Sequence, residues 1–155
     1  MFCLAGRQAV ELEVRRAKAT DSAAVCGLAA ALVGFEADRL ASFEAAFGDP
    51  DHDLIVAETD GTVVGYAHLM VYPDLTHGAL TRELLGLIVR EDMRRRGIAT
   101  ALMREIIHLA RERGVGEFHI NTEADNEAAR ALYASLGAGV VGIQMDIGLE
   151  VEDQQ

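Results

Sequence analysis

Positive charge is scarce in this chain: 14 lysines and arginines face 25 aspartates and glutamates, for a formal net charge of −11. Binding a polyphosphate needs a broad basic surface, so the deficit excludes nucleic acid as a main partner and favours cationic small molecules or basic peptides. Cysteine is scarce too. Cys3 and Cys26 have neither metal-ligand nor redox-motif spacing, and free thiols are expected. No uninterrupted apolar run approaches the roughly 18 to 20 residues of a membrane-spanning helix, so no membrane partner is expected. The opening MFCLAGRQAV lacks a basic region ahead of a long apolar stretch and a cleavage site. No secretion signal is read there, and a cytoplasmic location is the expectation.

What is present is enough for one core. A chain of 155 residues fits a single domain, expected over 10–149, with 1–9 and 150–155 as flexible tails. VELEVRRA at 10–17 alternates apolar and charged residues and predicts a half-buried strand. The next segment predicts a helix with Thr20 or Asp21 as N-cap and Gly34 as its stop, and 36–47 predicts a second helix. Asp60-Gly61 between two apolar runs predicts a hairpin. A polar, turn-rich stretch at 72–81 leads into a strand, RELLGLIVRE, whose apolar run suits burial on both faces. A helix at 97–113, a strand at 115–122, a helix at 126–136 and short strand-like segments in 138–149 complete the order βααβββαβαβ, a mixed α/β sheet.

The scarce positive charge is concentrated at one place. Between the strand ending near Val89 and the helix starting near Gly97 lie Arg90, Arg94, Arg95 and Arg96. A helix N-terminus has unpaired amides and about half a positive charge, so this turn suits an anion. Neither G-x-x-x-x-G-K-[ST] nor G-x-G-x-x-G occurs, which excludes two common phosphate loops. What remains is R-x-x-G-x-A at Arg94, Gly97 and Ala99. It resembles the pyrophosphate signature of the GNAT superfamily of acyl-coenzyme A dependent N-acyltransferases. ELLGLIV directly before it resembles that family's fourth strand, and NEAARALYASLGA at 126–138 resembles its Asn-x-x-Ala-x-x-x-Tyr-x-x-x-Gly-Phe segment. The resemblance covers about 140 residues, and departs where Gly137-Ala138 replaces Gly-Phe and where the C-terminal strands are short.

The resemblance implies a GNAT fold with splayed fourth and fifth strands, acetyl-CoA as co-substrate and no metal. It places the pantetheine arm along the backbone of Leu87, Ile88 and Val89. The pyrophosphate falls to Arg94, Arg95, Arg96, Gly97, Ile98, Ala99 and Thr100. On the last helix, Asn126 and Ala129 or Arg130 would line the cofactor channel, with the Tyr133 hydroxyl near the thioester sulfur. Asn126 alone also suits a plain N-cap.

Chemistry fits those roles. The departing thiol has pKa near 8.5 and tyrosine near 10, so Tyr133 can serve as general acid. A primary amine arrives as an ammonium and must lose a proton, and Glu83 resembles the glutamate many family members use as base. His119, Asn121, Glu117, Glu123 or His77 could serve instead. Tyr72, Thr76, His77 and His119 are the acceptor-side candidates; His52 and His108 read as surface residues. The implied activity is acetyl transfer to a primary amine of a small molecule. The alternatives are a protein or peptide N-acetyltransferase and a CoA-binding sensor without catalysis. The shortened C-terminus leaves room for a homodimer that completes the acceptor pocket.

Overall fold

A computed structural model describes residues 11–33 and 37–147, which fall into two compact units dividing between Ile120 and Asn121. Gly34, Cys3 and the two expected tails lie outside the described residues. In the first unit the elements are β1 (Leu12–Arg16), α1 (Ser22–Val33), α2 (Arg39–Gly48), β2 (His52–Thr59), β3 (Thr62–Asp74), β4 (Ala79–Val89), α3 (Ile98–Glu112) and β5 (Phe118–Ile120). The five strands form one sheet in the order β1-β2-β3-β4-β5, antiparallel except for the parallel β4–β5 pair. This is the mixed α/β architecture expected from the sequence.

The hairpin at Asp60-Gly61 forms as expected. Both residues have positive φ, 50° and 73°, the twist a two-residue turn needs to join right-twisted strands. The 72–81 stretch does not form a polar loop: β3 runs to Asp74 and β4 begins at Ala79, leaving a tip of four residues. Asp74 closes that tip by accepting the Thr76 and His77 amides at 2.8 and 3.3 Å, a side-chain turn that composition alone did not reveal.

Helices cover both faces of the sheet. Val25 and Leu28 of α1 with Phe43 and Ala46 of α2 pack on Leu54, Val56, Tyr66 and Ile88. On the other face α3 buries Ile98, Leu102, Met103, Ile106 and Ala110, the stripe a 3.6-residue period predicts. The first helix starts at Ser22, directly after Asp21, one of the two expected N-cap positions. A single 3-10 turn at Ala19–Asp21 precedes α1, and the Asp21 carboxylate accepts the Lys18 amide at 2.7 Å. Asp21 also takes the Arg15 guanidinium at 2.7 Å, which holds its carboxyl below the usual aspartate range. The second helix starts at Arg39 rather than 36, with Asp38 capping the Ala41 amide at 3.0 Å.

The second unit contains α4 (Glu127–Ser135), closed by Gly137 at φ 94°. The strand-like segments expected in 138–149 are absent over the described part, 138–147. There Val140, Val141, Ile143, Met145 and Ile147 are 87 to 92% exposed, so the alternation that suggests a strand has no ladder to join. The strand expected at 115–122 is likewise shorter, three residues. No helix among the described residues is long and apolar enough to cross a membrane.

Candidate active site

β4 is paired on both edges for only part of its length. Its ladder with β3 runs from Ala79 to Val89, whereas its ladder with β5 holds Arg82, Glu83 and Leu84 and then stops at Ile120. A bulge marks the change: His68 faces Gly86 and Leu69 faces Leu84, so Leu85 is the extra residue on β4. A bulge bends its strand and increases the local twist, and it falls where the β4–β5 ladder ends. From Leu85 to Val89, the outer edge of β4 has no ladder partner among the described residues. Leu87, Ile88 and Val89 all lie on this open half.

The open half leads into the arginine turn. A 3-10 turn at Glu91–Met93 buries Met93 and brings Arg94 back over the strand end, where its Nε donates to the Val89 carbonyl at 3.1 Å. Arg90 instead pairs with exposed Asp92 at 2.6 Å, and Arg96 donates to the Asp92 carbonyl at 3.3 Å. Arg95 holds φ 63° and Gly97 φ 81°. For Gly97 this left-handed conformation, which a Cβ disfavours, is the structural demand, since the space around it is open. No side chain caps α3. The first-turn amides of Ile98, Ala99 and Thr100 are therefore directed to an outside acceptor beside three exposed arginines, and this donor set fits a phosphate. A cleft of about 420 Å³ adjoins the turn, lined by Gly27, Leu28 and Ala31 of α1 and by Ile88, Val89 and Arg94.

Register places the acceptor-side candidates. Directly paired residues share a face, so His52, Met70, Glu83 and His119 form one row across β2, β3, β4 and β5 on the α1/α2 face. Tyr72 lies in the next row, opposite Thr81. Glu83 and His119, named as alternative bases, are thus lateral neighbours. Thr76 and His77 sit apart, at the β3–β4 tip. His77 Nδ1 meets Asp74 Oδ2 at 2.5 Å, which raises its pKa and lowers that of Asp74.

Two residues of this face, His68 and Tyr66, escaped the sequence reading, and a third, His52, departs from its expected place at the surface. His52 is no free surface residue: it is half-buried and its Nδ1 lies 2.8 Å from Nε2 of His68. Burial, with His52 beside it, pushes the His68 pKa down to about 4, so its imidazole is neutral at pH 7. Tyr66 is buried against Gly86, and burial raises its phenol pKa.

In the second unit Asn126 is the N-cap of α4, its Oδ1 accepting the Ala129 amide at 3.1 Å, and Arg130 folds back on the Ala124 carbonyl at 3.0 Å. Tyr133 is half-buried, and burial pushes its phenol pKa up, so it keeps its proton across the neutral range. Cys26 is a free, half-buried thiol with pKa raised by burial, the environment of an inert cysteine rather than a nucleophile. Among the described residues no group of three or more His, Cys, Asp or Glu is placed to hold a metal ion.

A mixed five-stranded sheet whose fourth strand is freed from the fifth just ahead of a phosphate-ready helix start defines an acyl-CoA acyltransferase fold. The model of the acetyltransferase (GNAT) family matches residues 21–138, and the chain belongs to that family. It is 37% identical to human N-acetyltransferase 8 over 82 residues, 53% of this chain and 36% of that protein. It is 31% identical to the N-alpha-acetyltransferase RimI of Mycobacterium tuberculosis over 104 residues, 67% of this chain and 63% of that protein. The chain spans 36 to 41% of the length of the mammalian relatives it matches. Among solved structures it shares the fold of the aminoglycoside N-acetyltransferase AAC(6')-Iy in complex with CoA. The TM-score is 0.83 at 20% identity, covering 95% of this chain and all of that one.

Proposed function

We propose that this chain transfers the acetyl group of acetyl-CoA directly to a primary amine of a small molecule. The observation that carries the reading is the half-paired β4, open from Leu85 to Val89 and running straight into uncapped helix amides. Pantetheine carries amide groups, which an unpaired strand edge can receive as it would another strand. The amides of Ile98, Ala99 and Thr100, with Arg94, Arg95 and Arg96, hold the pyrophosphate. Acetyl-CoA supplies an activated acyl group on a good leaving thiol.

The chain's own residues do the proton work. Glu83 takes the proton that the acceptor ammonium must lose, and a carboxylate on that face also attracts the cation. His119, its neighbour across the β4–β5 ladder, is the alternative base. The Tyr133 phenol gives its proton to the departing thiolate. No covalent acyl-enzyme is invoked: neither Cys3 nor Cys26 falls at a site position of the family pattern, and Cys26 is a thiol of the inert kind. The chain's net charge of −11 and the aminoglycoside-acetylating structural neighbour support a small cationic acceptor.

The test is thiol release from acetyl-CoA with polyamines, aminoglycosides and a peptide bearing a free N-terminus. Turnover with small amines, reduced about 10²-fold in kcat by Tyr133→Phe, is the expected result. Turnover with the peptide alone would replace the acceptor class, in line with the similarity to RimI. CoA binding without any turnover would make the chain a sensor.

A further inference from the structure

We infer that the Tyr66 hydroxyl is a contact for the attacking amine, accepting one of its N–H hydrogens where the open half of β4 begins. This rests on the acetyl-transfer reading and deepens it. Tyr66 stands on β3 between Val56 and Ile88, with its side chain on the α1/α2 face, the face that also carries Glu83 and His119. Its phenol leans along β4 onto Gly86. A Cβ built there would lie 3.5 Å from the hydroxyl oxygen, 3.6 Å from Cε2 and 3.9 Å from Cζ, so the missing side chain leaves the phenol tip room against the strand.

The hydroxyl is in an unusual state for a buried tyrosine. Such a group normally finds a hydrogen-bond partner, because leaving it without one is costly. Tyr66 is 8% exposed, yet among the described residues nothing hydrogen-bonds its hydroxyl. Nor is the oxygen sealed off from solvent. Among the described residues, side-chain polar atoms both sealed and unpartnered occur only on Arg82, whose guanidinium shares Asp53 with Arg16 and Arg113 on the opposite face of the sheet. Cys26 of α1 and Arg39 at the start of α2 act on the phenol electrostatically, so its tip lies toward the end where those helices meet. Burial raises its pKa, and it keeps its proton.

The direction of the cofactor brings the reacting atoms to this point. With the pyrophosphate on the Ile98, Ala99 and Thr100 amides, the pantetheine arm runs back along the edge from Val89 toward Leu85. Its acyl end stops where the β5 ladder closes the gap, beside Gly86. An amine that attacks there must aim its lone pair at the carbonyl carbon, so it offers its surroundings only N–H groups, and a phenol oxygen can accept one. As the N–C bond forms, Glu83 takes the proton the nitrogen loses, and the thiolate leaves with the C–S electrons and takes the Tyr133 proton. Tyr66 exchanges no proton; it holds the nitrogen in line.

Tyr66→Phe, compared with wild type at saturating acetyl-CoA, tests the contact. kcat/KM for the amine should fall about tenfold, the effect of one neutral hydrogen bond. Tm and the calorimetric affinities for CoA and acetyl-CoA should not change. A lowered Tm would make the hydroxyl a core group, and a loss of affinity for acetyl-CoA but not for CoA would put it on the thioester. Either result, or a kcat/KM within about twofold of wild type, would overturn the inference while leaving amine acetylation by the wild type in place. A wild type that consumes no acetyl-CoA with any amine would remove the acetyl-transfer reading, and this inference with it.

Discussion

The two halves of β4 do opposite jobs with one kind of backbone. From Ala79 to Leu84 the strand runs beside β3, and its last three residues also pair with β5; it buries Leu84 and carries a fully enclosed Arg82. From Leu85 to Val89 it keeps only β3 and offers its other edge. An unpaired edge is normally a liability in a sheet. Here it lies between a bulge and an arginine-rich turn, where an amide-bearing ligand can take the place of the missing strand. The closed half supplies rigidity that the open half needs, because a strand edge binds well only if its geometry is already fixed.

Breaking the closed half should have the largest effect. Asp53→Asn leaves three guanidiniums without their carboxylate, and urea unfolding should show a loss of about 3–5 kcal/mol. The inner side of the open half comes next. A Cβ on Gly65 would stand 2.9 Å from the Ile88 carbonyl oxygen, 3.3 Å from Val89 Cγ2 and 3.4 Å from Leu102 Cδ1. Gly65→Ala should therefore cost about 1–3 kcal/mol in the same assay and distort the edge proposed to receive the cofactor. Gly97→Ala probes the turn. Forcing a Cβ into φ 81° costs about 1–2 kcal/mol locally, and calorimetry should show CoA affinity reduced about tenfold. An unchanged affinity would separate the open edge from the turn.

The finest probe lies at the boundary between the halves, where His68 faces Gly86. Its pKa is about 4 in the folded chain, below the 6.5 of a free imidazole, mainly through burial. Between those values the unfolded chain binds more protons, so stability should fall as pH drops from about 6.5 to about 4 and stay level above that window. His68→Asn should flatten this slope, and an NMR titration should find the His68 ring neutral at pH 5.

Much of the local structure around the proposed cofactor site was legible because its signals are local. Asp60-Gly61, the α3 stripe, Asn126 as a cap and the Arg94–Gly97 turn are each set by a few neighbouring residues. The acceptor half was less legible, and the 52–68 pair shows why. Counting outward from the hairpin, Thr59 faces Thr62 and Glu58 faces Val63, which would set His52 against Leu69 and put His52 and His68 on opposite faces. A bulge at Val64 shifts the ladder by one residue, so His52 faces Met70 and shares a face with His68. A one-residue slip inverts every side chain beyond it, and nothing in the residue types announces it.

The amino-acid sequence by itself determined the elements and the chemistry waiting at the start of α3, since capping, turn formation and amphipathic period act over a few residues. Where β4 leaves β5, which histidines meet, and that Asp53 gathers guanidiniums from three other elements were decided only by the tertiary structure. Those outcomes depend on ladder register and on the burial of charge between residues 29 to 60 positions apart in the chain. Such energies exist only once the sheet and α3 have closed over them.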